Sequence, residues 1–450
     1  MIRAITCLFC LSLLLPFRAA RASDDTPAGD GGAATAPLAT AAWSVHLQTT
    51  FVDQYHPSLA AAYSGNNSLS ASANSENTSD ATVYLGRRLW RGGEFYINEE
   101  VDQGFGLSDT LGLAGFSSGE AYKVGRAKRY FLGQRAFLRQ TFDLGGELEN
   151  ISDDLNQLAT THTHDRLILT AGKFSVVDLF DNNRYAHDPR QDFLNWSIID
   201  AGAFDYAADA WGYSYGFAAE WTEQAWTGRY GLFDLSNVPN STVLDPGFHE
   251  VSQVIEIEHR HQWGGQPGTL RVLIFDNQGR FGTYQDALAL AAQMHTLPDT
   301  ASVRAYRHRP GGELNLEQAL TSDLGVFARI SRNDGRVEAY DFTDINQSVS
   351  AGLSLQGSAW RRPQDTFGFA LAVNSLSAPA QQYFSQGGMG ILIGDGQLSY
   401  APEQISELYY SLALGSYLHI SPDYQYIRHP ADNSARGPVR IYGLRLHLAY

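Results

Sequence analysis

Hydrophobic and polar residues alternate with a period of two along most of the chain after Trp43. The clearest run closes the chain, where small or polar residues alternate with the large apolar residues Tyr442, Leu444, Leu446, Leu448 and Tyr450. Because successive side chains of a β-strand point to opposite sides, this alternation predicts a strand with one apolar face and one polar face. In a membrane barrel the apolar face would meet lipid and the polar face would line a wet lumen.

Sixteen runs of this kind are separated by turn signals, and an even number of strands is typical of bacterial barrels. They lie at 43–52, 81–90, 94–102, 128–143, 165–176, 209–222, 225–235, 250–262, 269–278, 313–320, 323–332, 345–357, 366–376, 403–413, 417–426 and 437–450. Short connections such as 91–93 alternate with long ones such as 103–127, as periplasmic turns alternate with external loops. The pattern therefore predicts an all-β fold, a transmembrane antiparallel barrel of about 16 strands. The Ala/Leu pattern of 284–294 predicts a helix capping one loop.

The beginning of the chain predicts export. Arg3 precedes an apolar run from Ala4 to Phe17, and Ala20-Arg21-Ala22 supplies an A-x-A cleavage site, so residues 1–22 are a predicted signal peptide. Residues 23–42 contain too few large apolar side chains to fold, and we expect a disordered periplasmic tail there. Residues 43–450 would then form the barrel domain in the bacterial outer membrane.

Composition narrows the function classes further. The net charge of −16 at pH 7 makes nucleic acid an unfavourable partner. The 23 Tyr, 23 Phe and 8 Trp residues suit the aromatic girdles of a membrane barrel. Beyond the signal peptide, no apolar stretch approaches the roughly 18 residues that a membrane helix needs.

Several segments, taken in order over 43–450, resemble the carbohydrate-selective porin family of the OprB type. They are Leu169-Thr-Ala-Gly-Lys-Phe-Ser-Val-Val-Asp-Leu-Phe-Asp181, the following Asn182 to Trp196, Asp209-Ala-Trp-Gly-Tyr-Ser-Tyr-Gly216, Gly231-Leu-Phe-Asp-Leu-Ser236, Asp323-Leu-Gly-Val-Phe-Ala-Arg-Ile-Ser331 and Arg436-Gly-Pro-Val439. The resemblance implies a sixteen-stranded barrel whose inward loops and charged wall residues select monosaccharides such as glucose. The expected partners are small neutral sugars and outer-membrane lipid, without a cofactor. Both a monomer and a homotrimer stay open.

Charged residues on the predicted strands indicate where a selective site would lie. Arginine at mid-depth on the lipid face costs about 2–4 kcal/mol, so the odd-numbered Arg129, Arg135 and Arg139 of one strand should face the lumen. The same reasoning predicts that Glu100 and Arg88 also face the lumen. We expect Glu100 to oppose Arg135 and Arg139 in a charged constriction that binds sugar weakly.

The predicted loop 177–208 offers a second set of contacts. Asp181, Asn183, Arg184 and Trp196 combine acceptors, donors and an aromatic ring that could cover the C–H face of a sugar. We therefore expect this loop to fold inward and narrow the channel. The alternative is an external loop that packs on itself.

The sequence gives less support to metal binding or catalysis than to a sugar site. Asp178, Asp181, Asn183 and Asp188 could bind calcium, but their spacing matches no EF-hand, and we expect no metal. The chain has neither a G-x-S-x-G elbow nor an H-E-x-x-H motif, so an enzyme is not expected. The alternatives to a sugar porin are a general-diffusion porin and, further away, an outer-membrane hydrolase or adhesin.

Overall fold

The computed structural model describes residues 40–122, 125–244 and 247–450. The predicted signal peptide and all but the last three residues of the predicted tail lie outside the described residues. Ala41 is hydrogen-bonded to the barrel through its backbone N–H, which donates to the Ala159 carbonyl at 3.0 Å. The barrel ladder itself begins at Trp43, as the alternation predicts.

Sixteen antiparallel strands are present in the described part of the chain, and they form a closed barrel. Each strand pairs with its neighbours in sequence, and the last strand pairs with the first. The strands are β1 Trp43–His56, β2 Asn74–Trp90, β3 Gly93–Gly104, β4 Arg126–Ile151, β5 Thr160–Phe174, β6 Ser214–Glu223, β7 Trp226–Asp234, β8 Val251–Trp263, β9 Gln266–Phe281, β10 Ala305–Ala319, β11 Leu324–Asn333, β12 Gln347–Gly357, β13 Arg362–Ser375, β14 Glu403–Leu414, β15 Leu418–Arg428 and β16 Val439–Ala449. The predicted fold class and strand number are confirmed.

The main differences from the predicted strands are at their ends. β2 begins at Asn74 rather than at residue 81, and β4 continues to Ile151 rather than ending at residue 143. These extra segments are mostly polar, because a ladder that continues beyond the lipid does not need an apolar outer face. The alternation alone therefore marks only the part of each strand that lies in the lipid.

The outer surface carries the apolar belt that the alternation predicts. In β16, Tyr442, Leu444 and Leu448 are exposed, whereas Arg445 and His447 are buried. Six tryptophans are exposed on the described surface: Trp43 at the start of β1, and Trp90, Trp221, Trp226, Trp263 and Trp360, which lie in or within a few residues of a short turn. A girdle of this kind marks the membrane interface at the short-turn end of the barrel.

Three α-helices lie in the long connections of the described chain, namely α1 Trp196–Ile199, α2 Tyr284–Met294 and α3 Ala378–Ser385. The predicted helix at 284–294 is confirmed as α2, and Thr283 caps it by accepting a hydrogen bond from the Asp286 N–H at 3.0 Å. α2 packs on α3, with the rings of Tyr284 and Tyr383 4.9 Å apart. Over the described ranges, no helix is both long enough and apolar enough to cross a membrane.

Candidate functional site in the barrel lumen

The long connection 175–213, here called the constriction loop, folds into the barrel as the sequence predicts for 177–208. Its Tyr185 ring lies against Gly325, where an added Cβ would come within 2.1 Å of the ring. Gly325 is the second residue of β11, next to the short turn 320–323. The constriction loop thus reaches almost to the short-turn end of the barrel.

Buried arginines of the wall hold the constriction loop by its backbone. Arg329 on β11 donates through Nε to Asp181 Oδ1 at 2.7 Å and through its two terminal nitrogens to the carbonyls of Asp181, Ile198 and Ala186. Arg445 on β16 donates to the carbonyls of Pro189, Gln191 and Asp192 at 2.6–2.8 Å. A guanidinium group has five fixed donors, so one side chain can bind several carbonyl groups of a loop that is largely irregular apart from the short helix α1.

Wall carboxylates bind the N–H groups of the same loop. Glu407 on β14 accepts from the Leu194 N–H at 2.5 Å and from the Asn195 N–H at 3.0 Å. Glu256 on β8 accepts from the Asp181 N–H at 2.9 Å. Because buried backbone groups need partners, these contacts replace a ladder that the loop cannot form. The wall thus positions the loop with both donors and acceptors.

Two predicted binding residues of the loop are anchors. Asp181 is fully buried, and its carboxylate accepts from Arg329, Asn315 and the Ala201 N–H. Asn183 is buried as well, and its amide donates to Asn315 Oδ1 at 2.8 Å. Neither side chain faces the lumen, so the prediction that they line the pore is wrong. Because the loop turns at this point, these short polar side chains reach the wall and form hydrogen bonds with its buried polar groups.

The other two predicted loop residues are placed differently. Arg184 is exposed, and its backbone N–H donates to Glu317 at 2.7 Å, while its side chain takes no part in the central cavity described below. Trp196 does border the cavity, but it is only 2% exposed, because its ring is stacked between Phe116 and Phe342 at 5.3 and 6.1 Å. Trp196 therefore shapes the cavity wall and has no free face for a sugar ring.

A second loop also folds inward over its described residues 105–122, and the sequence did not predict it. Glu403 on β14 accepts from the backbone N–H groups of Ala114 and Gly115 at 3.0 and 2.7 Å, which carries this loop across the barrel. Gln54 and Gln425 donate to the Ser117 carbonyl from β1 and β15. The loop is rich in Gly and Ser and carries no periodic pattern, so only its wall partners reveal its position.

The two loops enclose a central cavity of about 590 Å³. Its lining combines aromatic rings, cations, carboxylates and amides. The aromatic members are Tyr84, Phe116, Tyr122, Phe137, Trp196, Tyr206, Trp211, Tyr213 and Phe342, and the charged members include Arg135, Arg139, Arg190, Glu120, Asp178, Asp188 and Asp200. A cavity of this size and chemistry suits a small polar ligand with apolar patches.

Arg190 of the constriction loop organises one side of the cavity. It contacts Glu100 on β3 at 3.1 Å, Glu120 of the second loop at 3.2 Å and the Tyr84 hydroxyl at 3.4 Å. The sequence predicted Glu100 to face inward, and it does, but it is fully buried beneath Arg190. Sequence reasoning missed Arg190, although the inward carboxylates of β2 and β3 required a cation from another element.

Arg135 and Asp178 form a bidentate ion pair beside the cavity. Arg135 Nε donates to Asp178 Oδ2 at 2.7 Å, and its terminal nitrogen donates to Oδ1 at 2.5 Å. The guanidinium carbon lies 4.8 Å from the centre of the Tyr213 ring. The predicted opposition of Glu100 to Arg135 and Arg139 is therefore replaced by two separate pairs, Glu100 with Arg190 and Asp178 with Arg135.

The three remaining predicted arginines have different positions. Arg139 lines the cavity and donates to the Asn156 carbonyl at 2.9 Å. Arg88 pairs with Glu94 at 3.1 Å near the short-turn end and does not border the cavity. The inward prediction for Arg129 is wrong, because it is exposed beside the inward-facing Tyr130.

The physical reason for the error at Arg129 is a β-bulge. Asn98 pairs with Arg135, but the next residue of β3, Glu99, pairs with Gly133, which leaves Gln134 as an extra residue. One extra residue inverts the inward and outward sides of the preceding segment. Phe131 is accordingly 80% exposed, although its odd number places it with the inward arginines.

Metal binding by the acidic residues of the loop finds no support in this geometry. Asp178 binds Arg135 and Asp181 binds Arg329, so these carboxylates already have cationic partners. No group of three or more His, Cys, Asp or Glu side chains over the described residues is placed to hold a metal ion.

The Asp192 carboxyl makes the constriction loop sensitive to pH. Burial inside the barrel and the nearby charge of Asp188 raise the pKa of Asp192 to about 6, while its Oδ2 accepts from the His187 and Asp188 N–H groups. The folded loop then binds this proton more tightly than an unfolded loop does, so its stability falls as pH rises from about 4 to about 6.

We expect open-channel current noise from the loop to increase over this range, measured in planar bilayers. Asp192→Asn keeps an acceptor oxygen without the titration, and we expect it to remove much of the increase. Glu147→Gln, at an exposed position, should keep it. Equal pH dependence in all three proteins would contradict the assignment to Asp192.

The closed sixteen-stranded barrel with inward-folded loops defines a porin-type outer-membrane channel. A family model described as carbohydrate-selective porin, OprB family, matches residues 66–450. The chain belongs to the OprB family of carbohydrate-selective porins. The resemblance read from the sequence and the predicted location in the outer membrane are thus confirmed, and membership of a porin family gives no support to the hydrolase alternative.

Individual relatives agree with this assignment. The solved high-pH structure of Pseudomonas putida OprB is similar in fold, with a TM-score of 0.68 at 14% identity over 91% of this chain and 94% of that chain. Porin AaxA of Chlamydia muridarum is 24% identical over 71% of this chain and 61% of its own length. Porin AaxA of Chlamydia trachomatis serovar L2 is 30% identical over 31% and 26%. The chain thus spans less than two thirds of these curated relatives.

Proposed function

We propose that this chain mediates passive, substrate-selective diffusion of small neutral sugars, such as glucose, across the outer membrane. The observation that carries the proposal is the central cavity of about 590 Å³, which is lined by the constriction loop and by strands of the barrel wall. Its walls present guanidinium donors, carboxylate acceptors and aromatic edges together. These groups match the hydroxyls and the C–H face of a monosaccharide.

The charge pairs in the cavity favour a neutral substrate over an ion. Arg135 is paired with Asp178, and Arg190 is paired with both Glu100 and Glu120, so these two cations are compensated and offer no free positive charge to an anion. Each paired group still has donor or acceptor capacity for a hydroxyl group. A site of this kind binds a sugar loosely enough to release it, which transport requires.

The barrel closes within one chain, because its last strand pairs with its first. We infer that each chain conducts by itself, whether the protein is a monomer or a homotrimer. Native mass spectrometry in detergent would give the number of chains, and conductance steps would give the number of channels.

Liposome swelling with D-glucose and L-glucose tests the selectivity. The two sugars are mirror images of equal size, so a general-diffusion pore passes them at equal rates. A site built from fixed hydrogen-bonding groups should admit D-glucose faster. Equal rates for the two sugars would support the general-diffusion alternative instead.

Arg135→Ala tests the site itself. Losing one charge-assisted hydrogen bond costs about 1.5–3 kcal/mol, so we expect sugar block of the ion current to weaken by roughly tenfold or more. Single-channel recording with glucose titration measures the block. Arg129→Ala, an exposed arginine of the same strand, is the matched control and should behave like the wild type. If Arg135→Ala keeps the wild-type sugar affinity, the ion pair only lines the wall.

A further inference from the structure

One connection at the short-turn end differs from the others. The turn 152–159, between β4 and β5, has eight residues. The other six turns at this end have two to four residues: 91–92, 224–225, 264–265, 320–323, 358–361 and 415–417. A turn of two to four residues only reverses the chain direction. A turn of eight residues is long enough to carry side chains away from the rim of the barrel.

The hairpin that carries this turn continues beyond the barrel rim. β3 begins at Gly93, which pairs with Gln140, so β4 has no partner on that side over 141–151. On the other side, the ladder between β5 and β6 begins at Arg166. Residues 143–165, here called the hairpin extension, are therefore paired mainly with each other.

A bend directs the hairpin extension back toward the barrel. Gly145 and Gly146 have φ angles of 134° and 85°, and the register between β4 and β5 shifts on both sides of Gly145. These φ values lie in the region that glycine adopts without a steric penalty. Register irregularities of this kind bend a hairpin sharply.

The turn 152–159 is anchored inside the barrel end. Leu158 is 1% exposed, and its backbone N–H donates to the Tyr96 hydroxyl at 3.2 Å. Arg139 donates to the Asn156 carbonyl at 2.9 Å, and His46 lies 3.3 Å from Asp153. Three wall strands, β1, β3 and β4, thus hold the turn in place.

The turn borders the same cavity as the constriction loop. Asp154, Leu155, Asn156 and Gln157 line the central cavity together with Arg190 and Asp178. We propose that the turn 152–159 forms a second constriction at the exit of the channel, in series with the constriction loop, and that Arg139 positions it. Resistances in series add, so this turn limits both ion current and sugar flux. The proposal rests on the channel and not on its preference for sugars.

Cysteine modification tests the proposal in a fully folded protein. The only cysteines, Cys7 and Cys10, lie within the predicted signal peptide, so an introduced thiol would be the single reactive site of the mature chain. Leu155→Cys places this thiol at the proposed constriction. A charged methanethiosulfonate reagent added to single channels in KCl should cause a stepwise, partial loss of conductance.

The matched control is Glu147→Cys on the same hairpin extension, at an exposed position that does not border the cavity. Its conductance should not change after complete modification, which mass spectrometry verifies. An unchanged conductance of fully modified Leu155→Cys channels would overturn the proposal. The measurement contains no sugar, so its outcome is independent of whether the channel selects sugars.

A second variant removes the constriction. Replacing 144–165 by Asn-Gly joins β4 to β5 through a two-residue hairpin turn. We expect a higher single-channel conductance. The preference for D-glucose should change less than the conductance does, because the constriction loop remains. A folded excision variant with wild-type conductance would also refute the second constriction, and if this variant does not assemble, the cysteine experiment decides.

Discussion

Deleting Tyr442–Tyr450 is expected to abolish assembly of the barrel. β1 pairs with β16 through these residues, from Tyr55 with Tyr442 to Gln48 with Ala449. The deletion leaves the backbone groups of β1 and β15 that pair with β16 without partners in lipid. Each unsatisfied backbone group in hydrocarbon costs several kcal/mol, and the total exceeds the stability of any ordinary domain.

Gel mobility and circular dichroism measure this outcome. The wild-type protein should migrate faster unheated than boiled and show a β-dominated spectrum in detergent, whereas the deletion variant should show only the slower band. Tyr450→Phe keeps an aromatic residue at the end of the chain and serves as the control. A folded, heat-modifiable deletion variant would show that β16 is dispensable for closure.

Arg329→Met is expected to release the constriction loop and raise the conductance. The substitution removes four hydrogen bonds to the loop and leaves the Asp181 carboxylate buried without its cation. Breaking a buried ion pair by removing one partner costs about 3–5 kcal/mol. The barrel ladder does not depend on this side chain, so we expect an intact barrel whose channel is wider and binds sugar more weakly.

Two further variants make the result specific. Arg332→Met lies three residues later on β11 and is exposed, so its conductance should equal that of the wild type. The double variant Arg329→Met with Asp181→Asn removes both charges and should recover part of the lost loop order. If Arg329→Met keeps wild-type conductance and sugar block, the remaining contacts of Arg445, Glu256 and Glu407 hold the loop without it.

The positions of the predicted site residues show what the inward–outward alternation of side chains along a strand can and cannot predict. Glu100, Arg135 and Arg139 face inward as predicted, because the cost of burying a charge in lipid acts on each strand position independently. Arg129 fails because the bulge at Gln134 inverts the alternation before it. A bulge of this kind follows from the pairing of two strands, and one strand read by itself gives no sign of it.

The roles of the loop residues show a second limit. Asp181, Asn183 and Trp196 have the residue types of a sugar site, but they bind Arg329, Asn315 and two phenylalanine rings. The cavity instead owes its charge to Arg190, which meets carboxylates 90 and 70 positions earlier in the chain. The sequence of a loop shows which chemical groups it contains. Contacts with the barrel wall determine which of these groups remain available to a ligand in the cavity.

By itself, the sequence determined the closed sixteen-stranded barrel, because the period-two alternation and the need to pair every backbone group in lipid act locally and everywhere along the strands. It also predicted that the long connection after β5 folds inward, with an external loop as the alternative. Only the tertiary structure decided which residues face the cavity, that the loop 105–122 joins it, and that the turn 152–159 borders it. These features depend on hydrogen bonds and ion pairs between residues far apart in sequence, and no local pattern of residues specifies which distant groups will meet.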